Sequence, residues 1–267
     1  MRPRGGRVRI LFYNWVDYLD AEKRGGGVSV YQRNLVEALA ARPDVECRFL
    51  CSGISYDVLS DRPRWEPVRH GPRQGVGHRF EIVNSRCLAP SHHSFGHETQ
   101  LDCPETTAVF LDFIKAQGPF DIVNFNNLEG LPASALALKT RCPGTRVVYS
   151  LHNYYPFCPQ VNLWREEREN CTDYADGRNC VDCLPYRPRT GEVRVANAVA
   201  YRFKRAGVSP GGPLFRHLFG RTVGIASEIV ALGARLHAGA RAVDRFETRG
   251  RAHPDADGLL APVEPPH

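Results

Sequence analysis

The chain has 267 residues and 42% hydrophobic content, enough to build one large α/β domain around a proper core. Its 35 Lys plus Arg against 29 Asp plus Glu leave a formal charge of +6, a balance that suits anionic partners such as nucleotide phosphates or a lipid surface. No apolar run reaches the roughly 18 residues that a spanning helix needs, so any membrane contact is expected to be peripheral.

The opening stretch MRPRGGRVRILFYNWVDYL is basic, but Asn14 and Asp17 interrupt its apolar run, and no secretory signal is expected. A cytoplasmic location, peripheral to the inner face of the plasma membrane, is the expectation. In a reducing compartment the nine cysteines read as metal ligands or core residues rather than disulfides.

In chain order, RVRILFY from Arg7 to Tyr13 is a predicted strand. A glycine loop with Gly25, Gly26 and Gly27 follows, and VSVYQRNLVEALAA then has the apolar spacing of a helix. Val45 to Cys51 and Arg79 to Cys87 read as further strands, with excursions rich in Pro, Gly and His around them. Thr106 to Gln117 is a predicted helix that stops at Gly118-Pro119. FDIVNF is a buried-type strand, EGLPASALALKT a short helix, and TRVVYSL a strand ending at His152. This alternation predicts a Rossmann-like α/β fold: a parallel, doubly wound sheet with helices on both faces. Residues 154–185 break the rhythm and read as a cysteine-bearing insert. Glu192 to Phe219 and Gly224 to Phe246 return to helical spacing with basic polar faces, and residues 251–267 have too little to bury and read as a disordered tail.

Three constellations point to chemistry. Cys158, Cys171, Cys180 and Cys183 form a C-x12-C-x8-C-x2-C set, which suits a structural tetrahedral zinc; an iron–sulfur cluster, a redox pair at Cys180 and Cys183, or scattered reduced thiols are the alternatives. The loop through Gly25, Gly26 and Gly27 would let a phosphate approach a helix N-terminus, although it lacks the G-x-G-x-x-G spacing and could equally be a turn. His152 stands at the carboxyl end of a parallel strand, where open α/β sheets bind ligands, and Asn126, Asn127 and Glu129 follow the neighbouring strand at the same edge. His92, His93 and His97 could bind metal but read better as part of a solvated loop.

The glycine loop, the strand with trailing asparagines, SLHNYYPFCP and the later CVDC occur together in that order. From Arg7 to Thr248 the chain resembles the amino-terminal domain of family-four retaining glycosyltransferases of the GT-B architecture, in particular those with a cysteine-bearing insert. Where that family usually has His-Asp-Tyr, this chain has His152, Asn153 and Tyr154.

The resemblance implies a GT-B amino-terminal domain over residues 1–250 that transfers sugar from a nucleotide-sugar donor to a sugar or lipid-linked acceptor, with retention. It implies that Gly25 to Gly27 face the donor pyrophosphate and that His152 is the catalytic-site histidine touching the donor sugar or its phosphate. It further implies that Asn126, Asn127, Glu129 and Asn153 help hold the acceptor. ARAVDRFET resembles the last strand of such a domain, and the second, nucleotide-binding Rossmann domain has no counterpart in the sequence that follows, so the chain reads as a fragment, a truncated or frame-shifted product, or one half of an enzyme completed by another polypeptide, and activity alone is not expected. A catalytically inactive binding protein on the same fold is one rival reading. A basic zinc-containing nucleic-acid module is the other: from Tyr186 to Arg251, 13 Lys plus Arg face four Asp plus Glu, yet no recognition-helix spacing or aromatic-rich motif accompanies them.

Overall fold

A computed structural model describes residues 6–74, 77–94, 97–158, 160–180, 183, 189–208 and 212–219, all within the unit Met1–Ala226. The proposed helix at 224–246, the ARAVDRFET strand and the tail at 251–267 lie outside the described residues.

Six strands form one sheet in the order β3-β4-β2-β1-β5-β6. They are β1 (Val8–Tyr13), β2 (Val45–Ser55), β3 (Arg64–Pro67), β4 (Arg79–Val83), β5 (Ile122–Phe125) and β6 (Arg146–Tyr149). Every neighbouring pair is parallel except β3 with β4, which is antiparallel. The fold is therefore α/β with a mostly parallel Rossmann-like sheet, as the alternation of elements predicts. The antiparallel edge strand is an addition: RWEP is short and ends in Pro, which suits an edge and gives little periodic signal.

Alternate residues of β1 serve the two faces, as the period of two demands. Leu11 and Tyr13 pack with Phe80, Ile82, Val123 and Phe125 under helix α2 (Pro104–Gln117), which contributes Phe110, Phe113 and Ile114. Ile10 and Phe12 pack on the other face with Phe49, Tyr18 and Val36, the last from helix α1 (Gly26–Ala40). Truncating Phe110 or Phe113, both fully buried, to Ala would cost about 3–5 kcal/mol. Arg9 joins the layers: it pairs with Glu46 at 3.1 Å and donates to the carbonyls of Gln117 (2.8 Å) and Pro119 (2.9 Å), a cation at the C-terminal end of α2.

The stretch predicted as a short helix after β5 is a 3-10 turn (Ala133–Ala137) running into a single helical turn, α3 (Leu138–Arg141). The insert holds a two-residue hairpin, β7 (Trp164–Arg165) with β8 (Glu169–Asn170), and a 3-10 segment (Ala175–Cys180). Helix α4 (Thr190–Arg205) returns to the main body through Ala198 against Tyr56 and Leu88, and Arg202 pairs with Asp57 at 2.6 Å. Among the described residues, no helix is long and apolar enough to cross a membrane.

Candidate functional site

The carboxyl ends of β1, β5 and β6 bring most of the sequence-predicted polar residues to one edge. Asn126 follows β5, is fully buried, and sends its amide N–H to the Tyr13 carbonyl at 2.9 Å. Its side-chain Nδ2 also points to the Tyr13 carbonyl (3.4 Å), which leaves Oδ1 facing His152 Nε2 at 3.1 Å. With that arrangement His152 donates from Nε2 and keeps Nδ1 as an acceptor when neutral. Burial lowers the His152 pKa, which favours the neutral ring.

The same ring lies against Tyr31 of α1, with centroids 4.9 Å apart. Residues 27 and 31 share a helix face, so His152 stands over the side of α1 that begins at Gly27. The glycine triplet divides by role. Gly25 is the N-cap, and a Cβ there would lie 2.0 Å from Ser29 Oγ and 2.6 Å from a Val16 methyl. Gly26 has φ +53, whereas Gly26 and Gly27 both face open space. These last two open the first turn of α1 rather than lying in a loop before it. Gly26 N–H is used by the Lys23 carbonyl at 3.2 Å, while the next amides, of Gly27 and Val28, have no partner among the described residues. Free N–H groups at a helix start, with the positive dipole end behind them, are the elements of an anion site.

Glu129 organises the neighbouring polar residues of this edge. It is 3% exposed and accepts from Ser91 N–H (2.5 Å), Asn127 Nδ2 (2.8 Å) and Asn153 Nδ2 (3.5 Å). Burial raises its pKa, and the hydrogen bonds from Ser91, Asn127 and Asn153 oppose that without overcoming it. The Glu129 carbonyl in turn takes the buried Tyr13 hydroxyl at 2.6 Å. Asn126, Asn127 and Glu129 are thus brought together, but as a buried knot beneath the edge; His152 is the exposed member and Asn153 is half-buried. Tyr13 and Ser91 belong to this knot and Tyr31 packs on the exposed His152; none of the three carries a sequence signal of its own. Ser91 contributes a backbone amide, and the two tyrosines read as ordinary core and helix-face residues.

A knot of unpartnered polar atoms lies behind α1. Asn14 Nδ2 donates to Gln32 Oε1 at 3.1 Å, and Asn14 Oδ1, Gln32 Nε2 and Ser29 Oγ are buried without partners among the described residues.

The four insert cysteines line one cavity of about 290 Å³ together with Gln160, Leu163 and Trp164. Burial raises the Cys180 thiol, followed by Cys183, Cys158 and Cys171, so three other sulfurs bear on it. Gln160 Nε2 donates to the Cys183 carbonyl (2.8 Å) and approaches its sulfur at 3.3 Å. No set of three His, Cys, Asp or Glu side chains among the described residues stands close enough to form a finished metal site. That holds for His92 and His93 too, whose rings pack at 4.3 Å, and for His97, which accepts from Thr99 N–H.

The donor chemistry of the insert nonetheless suits a soft tetrahedral ion. Val161, Leu163, Glu166, Glu167, Ala175 and Asp176 all have positive φ, each a conformation costing on the order of 1 kcal/mol. Few apolar side chains are buried there to offset that cost. A scan against protein-family models finds none that matches the chain, and searches of curated proteins and of solved structures find no match.

Proposed function

We propose that the chain is the acceptor-side domain of a retaining, nucleotide-sugar-dependent glycosyltransferase of GT-B architecture, completed by a second Rossmann domain that binds the nucleotide. The observation that carries this reading is the meeting of α1's free N-terminal amides, Tyr31 and His152 at the carboxyl edge of the parallel sheet.

The chain's own residues have distinct tasks on this reading. The Gly27 and Val28 amides and the α1 dipole take part of the charge of the donor diphosphate, a fixed electrostatic contribution that grows as the sugar departs. His152, held by Asn126, presents a neutral Nδ1 that accepts from a sugar hydroxyl. Glu129 is a positioning residue: it fixes Asn153 and the Ser91 turn beneath the acceptor.

Within the same proposal, Cys158, Cys171, Cys180 and Cys183 hold a structural zinc ion. Four thiolates neutralised by the metal would supply the folding free energy that the strained insert lacks. The acceptor is a sugar or a lipid-linked sugar, approached at the inner face of a membrane.

A thermal-shift panel of UDP-glucose, UDP-N-acetylglucosamine and GDP-mannose tests the reading. A donor at ten times its Kd stabilises by about 1.4 kcal/mol, and that stabilisation is expected to disappear in His152→Ala. A shift that His152→Ala leaves unchanged would count against the proposal.

A further inference from the structure

A second cleft lies away from the residues discussed above, between the turn that follows β3 and the C-terminal end of α4. Its volume is about 830 Å³, and its walls include Arg69, His70, Arg73, Lys204 and Arg205. None of its lining residues is a carboxylate. We propose that this cleft is a binding site for a phosphate-bearing anion.

Charge accounting around the cleft separates spent cations from free ones. Lys204 is buried and pairs with Glu22 at 3.1 Å, Arg205 pairs with Glu66 at 2.5 Å, and His70 meets Glu81 at 3.1 Å. Arg64, Arg79 and Arg202 nearby are also paired, with Asp57, Asp17 and Asp57. Arg69 and Arg73 are exposed and have no partner among the described residues. Two unpaired guanidiniums at one opening, beside the paired Lys204 and Arg205, leave a local excess of positive charge suited to bidentate contact with phosphate oxygens.

The turn that carries them is held in place rather than loose. The buried Arg79 guanidinium donates to the Pro72 carbonyl at 2.5 Å, and Val68 N–H donates to the Arg79 carbonyl at 3.0 Å. Gly71, at φ +73, lets the chain reverse between the two arginines. On the facing wall, three of the last α4 carbonyls are occupied: Ala206, Gly207 and Val208 N–H donate to the carbonyls of Arg202, Lys204 and Phe203. The backbone that carries the two arginines is thus held, and binding does not have to order the turn.

Two sources of the anion share this chemistry, a free phosphorylated metabolite and a phosphomonoester lipid headgroup. The test is calorimetry with inorganic pyrophosphate, paired with sedimentation on phosphatidylcholine vesicles with and without phosphatidic acid. It uses the full chain, the Arg69→Gln/Arg73→Gln double variant, and an Arg62→Gln/Arg146→Gln control that removes the same charge from exposed positions elsewhere. All three are expected to melt alike. Pyrophosphate bound one to one, and weakened about ten-fold or more only in the Arg69/Arg73 variant, supports a site for a free anion. Binding only to vesicles with phosphatidic acid, lost in that variant and kept in the control, supports the headgroup. Binding of neither probe, or equal loss in both double variants, overturns the proposal.

Discussion

Gly130 sits directly after Glu129 with φ +81, packed against the end of β2. A Cβ there would lie 2.1 Å from the Ser52 carbonyl oxygen and 2.6 Å from its carbon. Both are backbone atoms of a central strand, so no side-chain rotation relieves the clash. The Gly130 carbonyl also accepts from Ser52 Oγ (2.7 Å) and Ser85 Oγ (2.9 Å), which would have to shift with it. Left-handed backbone costs an alanine about 1–2 kcal/mol, and overpacking a close contact adds about 1–3 kcal/mol, so Gly130→Ala is expected to lose about 3–4 kcal/mol. At about 2–4 °C per kcal/mol for a domain of this size, the melting temperature falls by roughly 10 °C. Gly144→Ala is the control, because a Cβ at Gly144 meets nothing within 4 Å and φ is not positive. Calorimetric melts of both variants measure the difference. A Gly130→Ala melt within about 2 °C of the unaltered chain would refute the close packing of the Glu129 turn on β2.

Other perturbations have definite expected outcomes. Tyr13→Phe removes the hydroxyl that donates to the buried Glu129 carbonyl, at a cost of about 1–3 kcal/mol by denaturant titration; an unchanged midpoint would mean that the 2.6 Å contact contributes nothing. The Asp57 pKa is lowered overall: burial raises it, but Leu59 N–H, Arg64 and Arg202 together outweigh that. Because the folded pKa is depressed, its stabilisation is present above the unfolded value and is lost as pH falls through the folded one. Asp57→Asn should therefore cost stability at pH 7, with the gap to the unaltered chain closing in acid; a gap independent of pH would contradict the ionic link from Asp57 to β3 and α4. Elemental analysis should find about one zinc per chain, lost with a lowered melting temperature in Cys180→Ser/Cys183→Ser, and a zinc-free chain whose melt is unchanged by the double substitution would leave the cysteines incidental.

The sequence conveyed the sheet well because β1, β2, β4 and β5 are flanked by packed layers and so appear as short apolar runs between helical periods. It failed where burial is polar. β2 runs on through Ser52 and Gly53 to Ser55, residues that look like a turn in isolation. Gly53 is tolerated in the strand because Gly130 Cα and Ala89 press against it, a contact across the fold that no local pattern displays. His152, Asn126 and Glu129 were legible as polar residues at strand ends. Their grouping depends on tertiary partners, namely Tyr31 on one side and Tyr13 and Ser91 on the other. The cysteine spacing was equally legible, and the four residues line one cavity, while the positive-φ residues around it arise from a path that spacing alone does not specify.

Saturation-transfer NMR with nucleotide sugars tests the central claim most directly, since it detects weak complexes and reports which ligand protons touch the protein. The account predicts transfer to the sugar-ring protons of at least one nucleotide-sugar donor, strongly reduced in His152→Ala and retained in Arg62→Gln/Arg146→Gln. Absence of transfer from every donor, or transfer that His152→Ala leaves unchanged, would contradict it.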